Sequence, residues 1–593
     1  MPLKELVIPP GIVTVETDRG AAGRWKDGNN VRFYMGKPEK IGGYQKNNAS
    51  YTFTGKARGI VDWQTLDLDK IIGIGTHLKL YVWAMGIYYD ITPIRASSTI
   101  NADPFAMVDT STTVTVTDTA HGAVVDDYVT FSGASAAGGI TVVGEYQIQS
   151  ITDANTYTIT HSSAATSTVS GGGAAVVAAY QIKTGSETTR PVSGFGAGTY
   201  GAGTYGTTRS IAQFLALART WSLDNWGEDL IACPRGGAIY VWDASVGFTS
   251  NRATLISQAP ATAKAIFVSD EDRHLVALGA YNGSADDPMY IAWCDAEDYT
   301  VWTAAEGNSA GDKRLDSGNE IYCAVKTKRE TLIFTDSTLW SMTFIGPPYI
   351  YDFAPIGLNG KIQSPNAAKE YDGRVWWMGE HEFYVYDGSI RVVPCAVLNH
   401  VFDDLNTDQK IMVFAGANHD FGELWWLYPS ADSDECDKFV LYNIVDNAWS
   451  FGELSRTVYV GDSKTFINPY ALGGDGYLYD HESGVNADGS ALSAYIESGD
   501  MEIGEGDDVM HVSRFVPDFK RLTGTLSLTL KGRKYPQSST QKTKGPYDVT
   551  SSTTKLKPRI RARQIAIRLA VSSVGSDFRV GTLRMDAQPD GKR

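Results

Sequence analysis

The chain has 593 residues, with 52 Lys and Arg against 68 Asp and Glu and a formal net charge of −16. Hydrophobic residues make up 43% and aromatic residues 11%, which is ample for packed cores and excludes a chain disordered throughout. At about 150 residues per domain, the length corresponds to roughly four domain-sized units, or to fewer if some are large all-β units.

The sequence also indicates the cellular compartment. No stretch approaches the ~18 apolar residues of a membrane helix, and the first 20 residues lack the apolar run of a signal peptide, so we expect a soluble chain without a secretion signal or a membrane span. The cysteines are odd in number, widely spaced and without metal-ligand spacing, which favours buried thiols in a reducing cytosol over disulfides or zinc. They are Cys233, Cys294, Cys323, Cys395 and Cys436.

In chain order, an N-terminal segment (1–68) comes first, and we assign it partly to a platform and partly to a first propeller blade. A repeated pattern follows, in which a short strand, a tight turn and an aromatic-rich strand succeed one another. DKIIGIGTHLKLYVWAMG (69–86) is its first example, within a blade at 69–97. Related segments begin at 228, 273, 330, 373, 422 and 469.

These repeats predict the architecture. From the second segment on they start about 45 residues apart, with one wider gap, which is the spacing of propeller blades. One small sheet cannot bury both of its faces, whereas Trp and Tyr between successive sheets fill that space. We therefore predict an all-β fold with a six- or seven-bladed β-propeller, mainly over 183–484. The GH…WD signature of WD40 repeats is absent, despite Trp242-Asp243.

Residues 98–182 interrupt the series. They hold alternating segments such as TTVTVTD and TYTIT, are rich in Ala, Thr, Ser and Gly, and are almost devoid of Lys and Arg. This pattern predicts an inserted small β-sandwich-like domain, exposed as a decoration. Helical periodicity is scarce, and 210–219 and 398–411 are the two candidates for short helices.

Several motifs are candidates for a catalytic, cofactor or metal site. GFGAGTYGAGTYGTTR (194–209) matches the dinucleotide fingerprint twice, but no strand precedes it, so a glycine-tyrosine loop is favoured. DSDECD (432–437) lacks the pattern of a calcium loop, and a solvated hairpin tip is preferred. His274, His381 and His400 are more often packing or surface residues than ligands or bases. We therefore predict no enzyme, cofactor or metal site.

Charge is strongly polarised along the chain. From Val509 to Arg593 there are 18 Lys and Arg against 5 Asp and Glu, a balance of +13, and the rest of the chain carries −29. We predict a basic C-terminal β domain over 485–593. In RIRARQIAIRLAV (559–571), basic and apolar residues alternate with period two, as in a strand with one charged face.

That charged face has three interpretations. A solvated strand face is the plainest, docking to an acidic partner or a neighbouring subunit is next, and nucleic-acid binding lacks the interleaved surface aromatics of a stacking platform. As candidates for docking between stacked rings we select the arginines of this segment. They are Arg559, Arg561, Arg563 and Arg568.

Three segments resemble a known family. RGAAGRWKDGNNVRFYMGKPEKIGGYQ (19–45), GAGTYGAGTYGTTR (196–209) and TWSLDNWGEDLIACPRGGAIYVWD (220–243) are similar to the tail hub or nozzle proteins of short-tailed bacteriophages, also called packaged-DNA stabilisation proteins. The insert resembles a small β module that recurs in phage tail proteins. The similarity spans about 20–480, and the basic C-terminal region matches less specifically.

The resemblance implies a structural virion protein of the tail, made in the host cytoplasm. Such hubs form a homohexameric ring below the portal and the adaptor, continue the DNA channel, retain the genome until ejection and carry tail fibres or spikes. DNA would pass through the lumen without sequence-specific binding, which suits an acidic body because carboxylates repel phosphates. Two alternatives remain: a propeller enzyme that degrades host polysaccharide, and a receptor-binding protein that uses the insert.

Overall fold

The structure is a computed structural model that describes residues 3–191, 215–249, 251–358, 360–502 and 508–591. Two compact units are present: unit 1 comprises Met1–Ser50 with Ser317–Arg593, and unit 2 comprises Tyr51–Asp316. Over the described residues, regular structure is almost all strand, which confirms the all-β class. The helical elements there are the α-helix Leu398–Phe402 and the 3-10 helices Ala244–Val246 and Thr407–Met412.

The two predicted helices fare differently. The segment 398–411 does hold the α-helix and most of the second 3-10 helix. Of 210–219, the first five residues lie outside the described part of the chain, and Leu215–Ala216 pair with Arg190–Pro191 as a short two-stranded sheet. The glycine-tyrosine loop predicted at 194–209 also lies outside the described residues.

Unit 2 contains three four-stranded antiparallel sheets in which each strand pairs with the next along the chain, and we call them meanders 1 to 3. Meander 1 comprises Ala57–Gln64, Lys70–Thr76, Leu80–Ala84 and Ile87–Asp90. Meander 2 comprises Trp221–Trp226, Asp229–Pro234, Tyr240–Trp242 and Thr254–Leu255. Meander 3 comprises Ala265–Val268, Leu275–Leu278, Tyr290–Trp293 and Gly311–Arg314.

Unit 1 contains four sheets of the same kind, meanders 4 to 7. Meander 4 comprises Ile321–Lys326, Thr331–Thr335, Leu339–Gly346 and Ile350–Gly357, and meander 5 comprises Ala368–Tyr371, Arg374–Met378, Phe383–Tyr386 and Ile390–Val393. Meander 6 comprises Phe414–Asn418, Glu423–Pro429, Cys436–Asn443 and Ala448–Glu453. Meander 7 comprises Val458–Val460, Tyr470–Leu472 and Leu478–His481, and its fourth strand is Tyr44–Lys46 from the N-terminal segment.

Aromatic side chains pack the meanders against one another. In meander 6 all seven residues of the second strand are buried. Its Trp426 lies 4.8 Å, between ring centroids, from Phe383 of meander 5, and its Trp425 stacks at 5.0 Å on Tyr459 of meander 7. A strand buried on both faces needs large apolar side chains on both, which explains the Trp and Tyr excess of the sequence.

Within each unit, the first strands of consecutive meanders lie side by side. In unit 1 they also share one direction, because contacts join neighbouring meanders at the same end. These contacts are Glu330 with Tyr386, Tyr371 with His419, and a parallel bridge between Asn418 and Gly461. We call this the first-turn end, since it holds the turns after the first and third strands. The opposite end, with the turn after the second strand, is the second-turn end.

The inserted segment forms one eight-stranded sheet around its own apolar core. In sheet order its strands are Ile94–Thr99, Val177–Gln181, Tyr128–Ser132, Gly144–Asp153, Thr156–Thr160, Thr113–Thr117, Phe105–Met107 and Val169–Gly171. Buried Lys79 of meander 1 anchors the insert. The Lys79 ammonium pairs with Asp90 at 2.9 Å and with Glu145 of the insert. Arg252 lies near the same two carboxylates.

The remaining strands join the two ends of the chain in unit 1. A five-stranded sheet has the order Trp25–Asn29, Ala494–Ser498, Gln564–Val571, Leu526–Arg533 and Lys542–Val549. One four-stranded sheet has the order Lys4–Glu5, Arg584–Pro589, Met510–Val516 and Ile560–Ala562. Another has the order Val31–Tyr34, Lys37–Lys40, Asp577–Val580 and Phe519–Thr523. We call these three the terminal sheets. The basic C-terminal region therefore folds together with strands from the first 40 residues.

Candidate functional site

The exposed basic side chains of the C-terminal region gather at one edge of the terminal sheets. The hairpin Leu526–Arg533 and Lys542–Val549 forms the edge of the five-stranded sheet. The loop before Arg559 lies against it, because the Tyr547 hydroxyl donates to the Pro558 carbonyl at 3.3 Å. We define the basic edge as Lys534, Lys542, Lys555, Lys557, Arg559 and Arg561, all exposed.

Among the described residues, most of the basic edge has no compensating acid. Arg561 pairs with exposed Asp590 at 2.8 Å. For the other five side chains, the described residues supply no ion pair. Exposed charges that lack a local partner keep their field available to an approaching surface, which is the electrostatic requirement for docking to an acidic partner.

The four arginines chosen from the sequence do not share one environment. Arg559 and Arg561 are exposed on either side of buried Ile560, so the period-two pattern holds there. Arg563 is half-buried, with its guanidinium 4.9 Å from the ring of exposed Tyr535. Arg568 lies in the next strand, where it pairs with Glu497 at 3.1 Å and covers the Tyr495 ring at 3.5 Å.

Arg568 belongs to a charged cleft of about 400 Å³ between the N-terminal segment and the five-stranded sheet. Buried Glu497 is its centre, with Lys531 at 2.5 Å and Lys26 at 3.6 Å in addition to Arg568. Burial raises the pKa of Glu497, but hydrogen bonds from Lys531 and Arg568 and the charge of Lys26 outweigh it, so the pKa lies below its ordinary value. These cations hold the sheet together and are not free for a partner.

A second charge cluster joins the terminal sheets to meanders 6 and 7. Arg32 is fully buried, with its Nε 3.0 Å from Glu423, a second ion pair to Glu482, and its guanidinium 3.8 Å from the Phe421 ring. Burial raises the pKa of Glu423 to about 7 although Arg32 lowers it. Nearby Lys40 has its pKa lowered to about 8 by burial, and it donates to two backbone carbonyls at 2.7 Å.

The meander turns of unit 1 differ in character at their two ends. The four turns at the second-turn end carry acids and no Lys or Arg. Those acids are Asp336, Glu380, Glu382, Asp432, Asp434, Glu435 and Asp475. Lys361 and Lys410 reach Glu380 from outside the turns. Within unit 1, therefore, these acidic turns belong to the meanders, whereas the basic edge belongs to the terminal sheets.

Asp403, Asp404 and two of the three candidate histidines have structural contacts. Asp404 pairs with Lys438 at 2.9 Å, and the backbone N–H of Asp403 closes the helix Leu398–Phe402. His400 stacks on Phe451 at 3.8 Å, and burial lowers its pKa. His274 is buried and lies 2.9 Å from the Ser309 hydroxyl, whereas His381 is exposed.

The other special groups also have packing or surface positions. In DSDECD, Asp437 accepts two hydrogen bonds from Ser430 at 2.8 Å. All five cysteines are free thiols and four of them are buried. Among the described residues no group of three or more His, Cys, Asp or Glu could hold a metal ion, and no helix is long and apolar enough to cross a membrane.

Comparison with known proteins identifies no family for this chain. No family model and no curated protein matches the chain. Among solved structures, a fungal alcohol oxidase of the AA5 family aligns at 10% identity over 84% of this chain and 97% of that one, with a TM-score of 0.33. The phage phi92 endosialidase aligns at 13% identity over 65% of this chain and 52% of that one, with a TM-score of 0.18.

A further solved structure, Kluyveromyces lactis Hsv2, aligns at 7% identity over 47% of this chain and 72% of that one, with a TM-score of 0.26. This chain therefore spans about half of the endosialidase and more of the other two. At these TM-scores the likeness carries no argument about activity, ligand or assembly, so function has to be argued from the chain itself.

Proposed function

We propose that the chain is a structural subunit of the tail of a short-tailed bacteriophage, the hub or nozzle protein. In this proposal six copies form a ring that continues the DNA channel below portal and adaptor, retains the packaged genome and carries fibres or spikes. The observation that carries it is the series of seven four-stranded meanders, completed by a strand from the N-terminal segment that bears the resemblance to this family.

We also propose that the meanders are blades of a β-propeller, three of them in unit 2 and four in unit 1. Two features are those of propeller blades. The first strands lie side by side within each unit, and the last sheet is completed by an N-terminal strand. A propeller leaves only short, protected sheet edges, so it suits a rigid ring subunit.

The charges support stacking between unlike rings. The basic edge is exposed and is largely uncompensated by the residues that the structure describes, so it fits an acidic surface of the adaptor above the hub. Acidic turns at the second-turn end would repel DNA phosphates and prevent the genome from adhering. Arg559 and Arg561 are the docking arginines in this proposal, whereas Arg563 and Arg568 support the sheet beneath them.

Imaging of assembled virions tests the proposal. A ring with six-fold symmetry at the tail, labelled through a tag on this chain, is the expected result. A label on the capsid shell, or on fibres alone, would refute the hub assignment.

The enzymatic alternative has a separate test. Purified protein should release no saccharide from host surface polysaccharide. Release that is abolished by Asp403→Asn or Asp404→Asn would overturn the structural assignment in favour of a glycosidase or lyase. Binding of the isolated insert to host cells would favour the receptor-binding alternative.

A further inference from the structure

The strand that completes meander 7 is short and lies at the surface. Tyr44–Lys46 has three residues, is the outer strand of its sheet and pairs with Leu478–His481. Gln45, at its centre, is exposed. The chain passes from unit 1 to unit 2 soon afterwards, between Ser50 and Tyr51. Because so short a strand forms few backbone hydrogen bonds, side-chain contacts have to hold it on the meander.

Side chains of meander 7 and of the residues just before it enclose the ring of Tyr44. The guanidinium of buried Arg456 lies 4.3 Å from the Tyr44 ring and 3.8 Å from the Tyr479 ring. Buried His481 stacks on Tyr44 with the ring centroids 5.2 Å apart, and Tyr479 meets Tyr44 edge-on at 5.6 Å. We call Arg456, Tyr479 and His481 the Tyr44 box. A desolvated cation attracts the face of an aromatic ring, so the box anchors the strand.

His481 fits the box in its neutral form. The Arg456 Nε–H donates to the His481 Nε2 at 3.2 Å. A guanidinium has donors and no acceptor, so this nitrogen of His481 must carry a lone pair instead of a proton. The ring of Tyr459 also lies against the imidazole, edge-on at 5.6 Å. Burial and the charges of Arg456 and Arg32 hold the pKa of His481 well below its ordinary value of 6.5.

The carboxylates around this strand are engaged elsewhere. The pairs are Glu423 and Glu482 with Arg32, Asp480 with Asn47, and Asp488 with Lys46. Among the described residues, none forms an ion pair with Arg456 or His481. A proton on the His481 Nε2 would therefore replace the hydrogen bond from Arg456 by a contact between two donors, with two like charges side by side.

We infer that the Tyr44 box is an acid-sensitive latch, which holds the strand Tyr44–Lys46 on meander 7 at neutral pH and releases it when His481 takes up a proton. Release uncovers the face of the imidazole on which Tyr44 stacks, so the open form binds the proton more readily than the closed form. Meander 7 then loses its fourth strand. The inference does not depend on the proposed ring.

The pH range follows from the direction of the pKa shift. Well above pH 6.5 both the open and the closed form hold a neutral His481, and the latch has its full stability. Below pH 6.5 the open form is protonated and the closed form is not, so opening becomes about tenfold more favourable for each pH unit. Glu423, whose pKa is raised to about 7, has the opposite sign, because its stabilising contribution grows as pH falls.

Hydrogen exchange of the full-length protein, followed by mass spectrometry between about pH 7.5 and about pH 5.5, tests the latch. After correction for intrinsic exchange rates, the amides of residues 44–47 should lose protection about tenfold between about pH 6.5 and about pH 5.5. The mostly buried strand Cys436–Asn443 of meander 6 should keep its protection over that range. Equal loss in both segments would indicate global unfolding and would overturn the inference.

His481→Gln separates the imidazole from the rest of the cluster. The amide oxygen of glutamine accepts the hydrogen bond from Arg456 but does not titrate, so protection of residues 44–47 should no longer change with pH. Arg456→Gln removes the cation that a protonated His481 faces, and the change should fall below about threefold. This second variant keeps the test open if His481→Gln does not fold.

His381→Gln is the matched control. His381 is exposed in a turn of meander 5, so its loss should leave the tenfold change intact. The inference is overturned if wild type shows no change in protection of residues 44–47 with pH, or if His381→Gln abolishes the change as fully as His481→Gln does. An undiminished change in His481→Gln would also overturn it and would assign the effect to Asp480 or Asp488, which that variant retains.

Discussion

Replacement of Arg32 by leucine tests how the terminal sheets are joined to the meanders. The Arg32→Leu change leaves Glu423 and Glu482 facing each other without their shared cation, and Glu423 is fully buried. Removal of one partner from a buried ion pair costs about 3–5 kcal/mol of unfolding free energy. Protonation of Glu423, whose pKa is already about 7, relieves part of that cost.

The loss should therefore depend on pH in a definite direction. A carboxyl group whose folded pKa exceeds its ordinary value of 4.5 takes up a proton on folding, so its contribution to stability falls as pH rises from about 4.5 to about 7. Without Arg32 the pKa of Glu423 rises further, and the fall continues above pH 7. We expect a loss of about 4 kcal/mol near pH 8 and a clearly smaller loss near pH 5.

Guanidinium unfolding followed by tryptophan fluorescence measures this difference. Lys361→Leu is the control, because Lys361 and Glu380 form a 3.0 Å pair that is 54% and 38% exposed, worth less than about 1 kcal/mol. Addition of Glu423→Gln to Arg32→Leu should recover much of the loss near pH 8. Equal losses in Arg32→Leu and Lys361→Leu, or a loss that does not grow with pH, would refute the role assigned to the cluster.

Three further changes test other parts of the molecule. Deletion of 98–182 should leave soluble protein with a cooperative melt, because the chain enters and leaves the insert side by side, where Ile94 pairs with Gln181; aggregation would contradict the boundary. Glu145→Gln should lower the thermal stability of unit 2 by about 1 kcal/mol, measured by calorimetry, since Lys79 keeps its pair with Asp90; no change would show that the Lys79–Glu145 pair does not stabilise unit 2. Lys557→Glu should leave unfolding unchanged but weaken pull-down of the adaptor; unchanged capture would remove the basic edge from docking.

Local pattern alone located much of the meander series. The seven repeated segments found in the sequence each contain the second and third strands of one meander, as 69–86 does in meander 1 and 422–443 does in meander 6. These inner strands are buried on both faces, so they need dense Val, Ile, Trp and Tyr, and the signal is strong. Some fourth strands, such as Thr254–Leu255 and Gly311–Arg314, are mostly exposed and carry no such signal.

Local pattern does not predict the environment of every arginine in 559–571. Alternation in 559–563 correctly placed Arg559 and Arg561 outward around Ile560. Arg568 belongs to the following strand Gln564–Val571, which is buried on nearly both faces, and its partner Glu497 comes from another strand. Whether a charge is free or paired depends on that partner, and the spacing within one segment contains no information about it.

The all-β class, the repeat, the insert and the separation of charge are therefore visible in the sequence alone, since each arises from residues close together in the chain. The long-range contacts are visible only in the fold: Tyr44–Lys46 completes meander 7, the first 40 residues share sheets with the last 90, and Arg32 lies between Glu423 and Glu482. Strand pairing uses backbone groups common to all residues, so partners hundreds of positions apart are selected by packing of the whole core rather than by any local pattern.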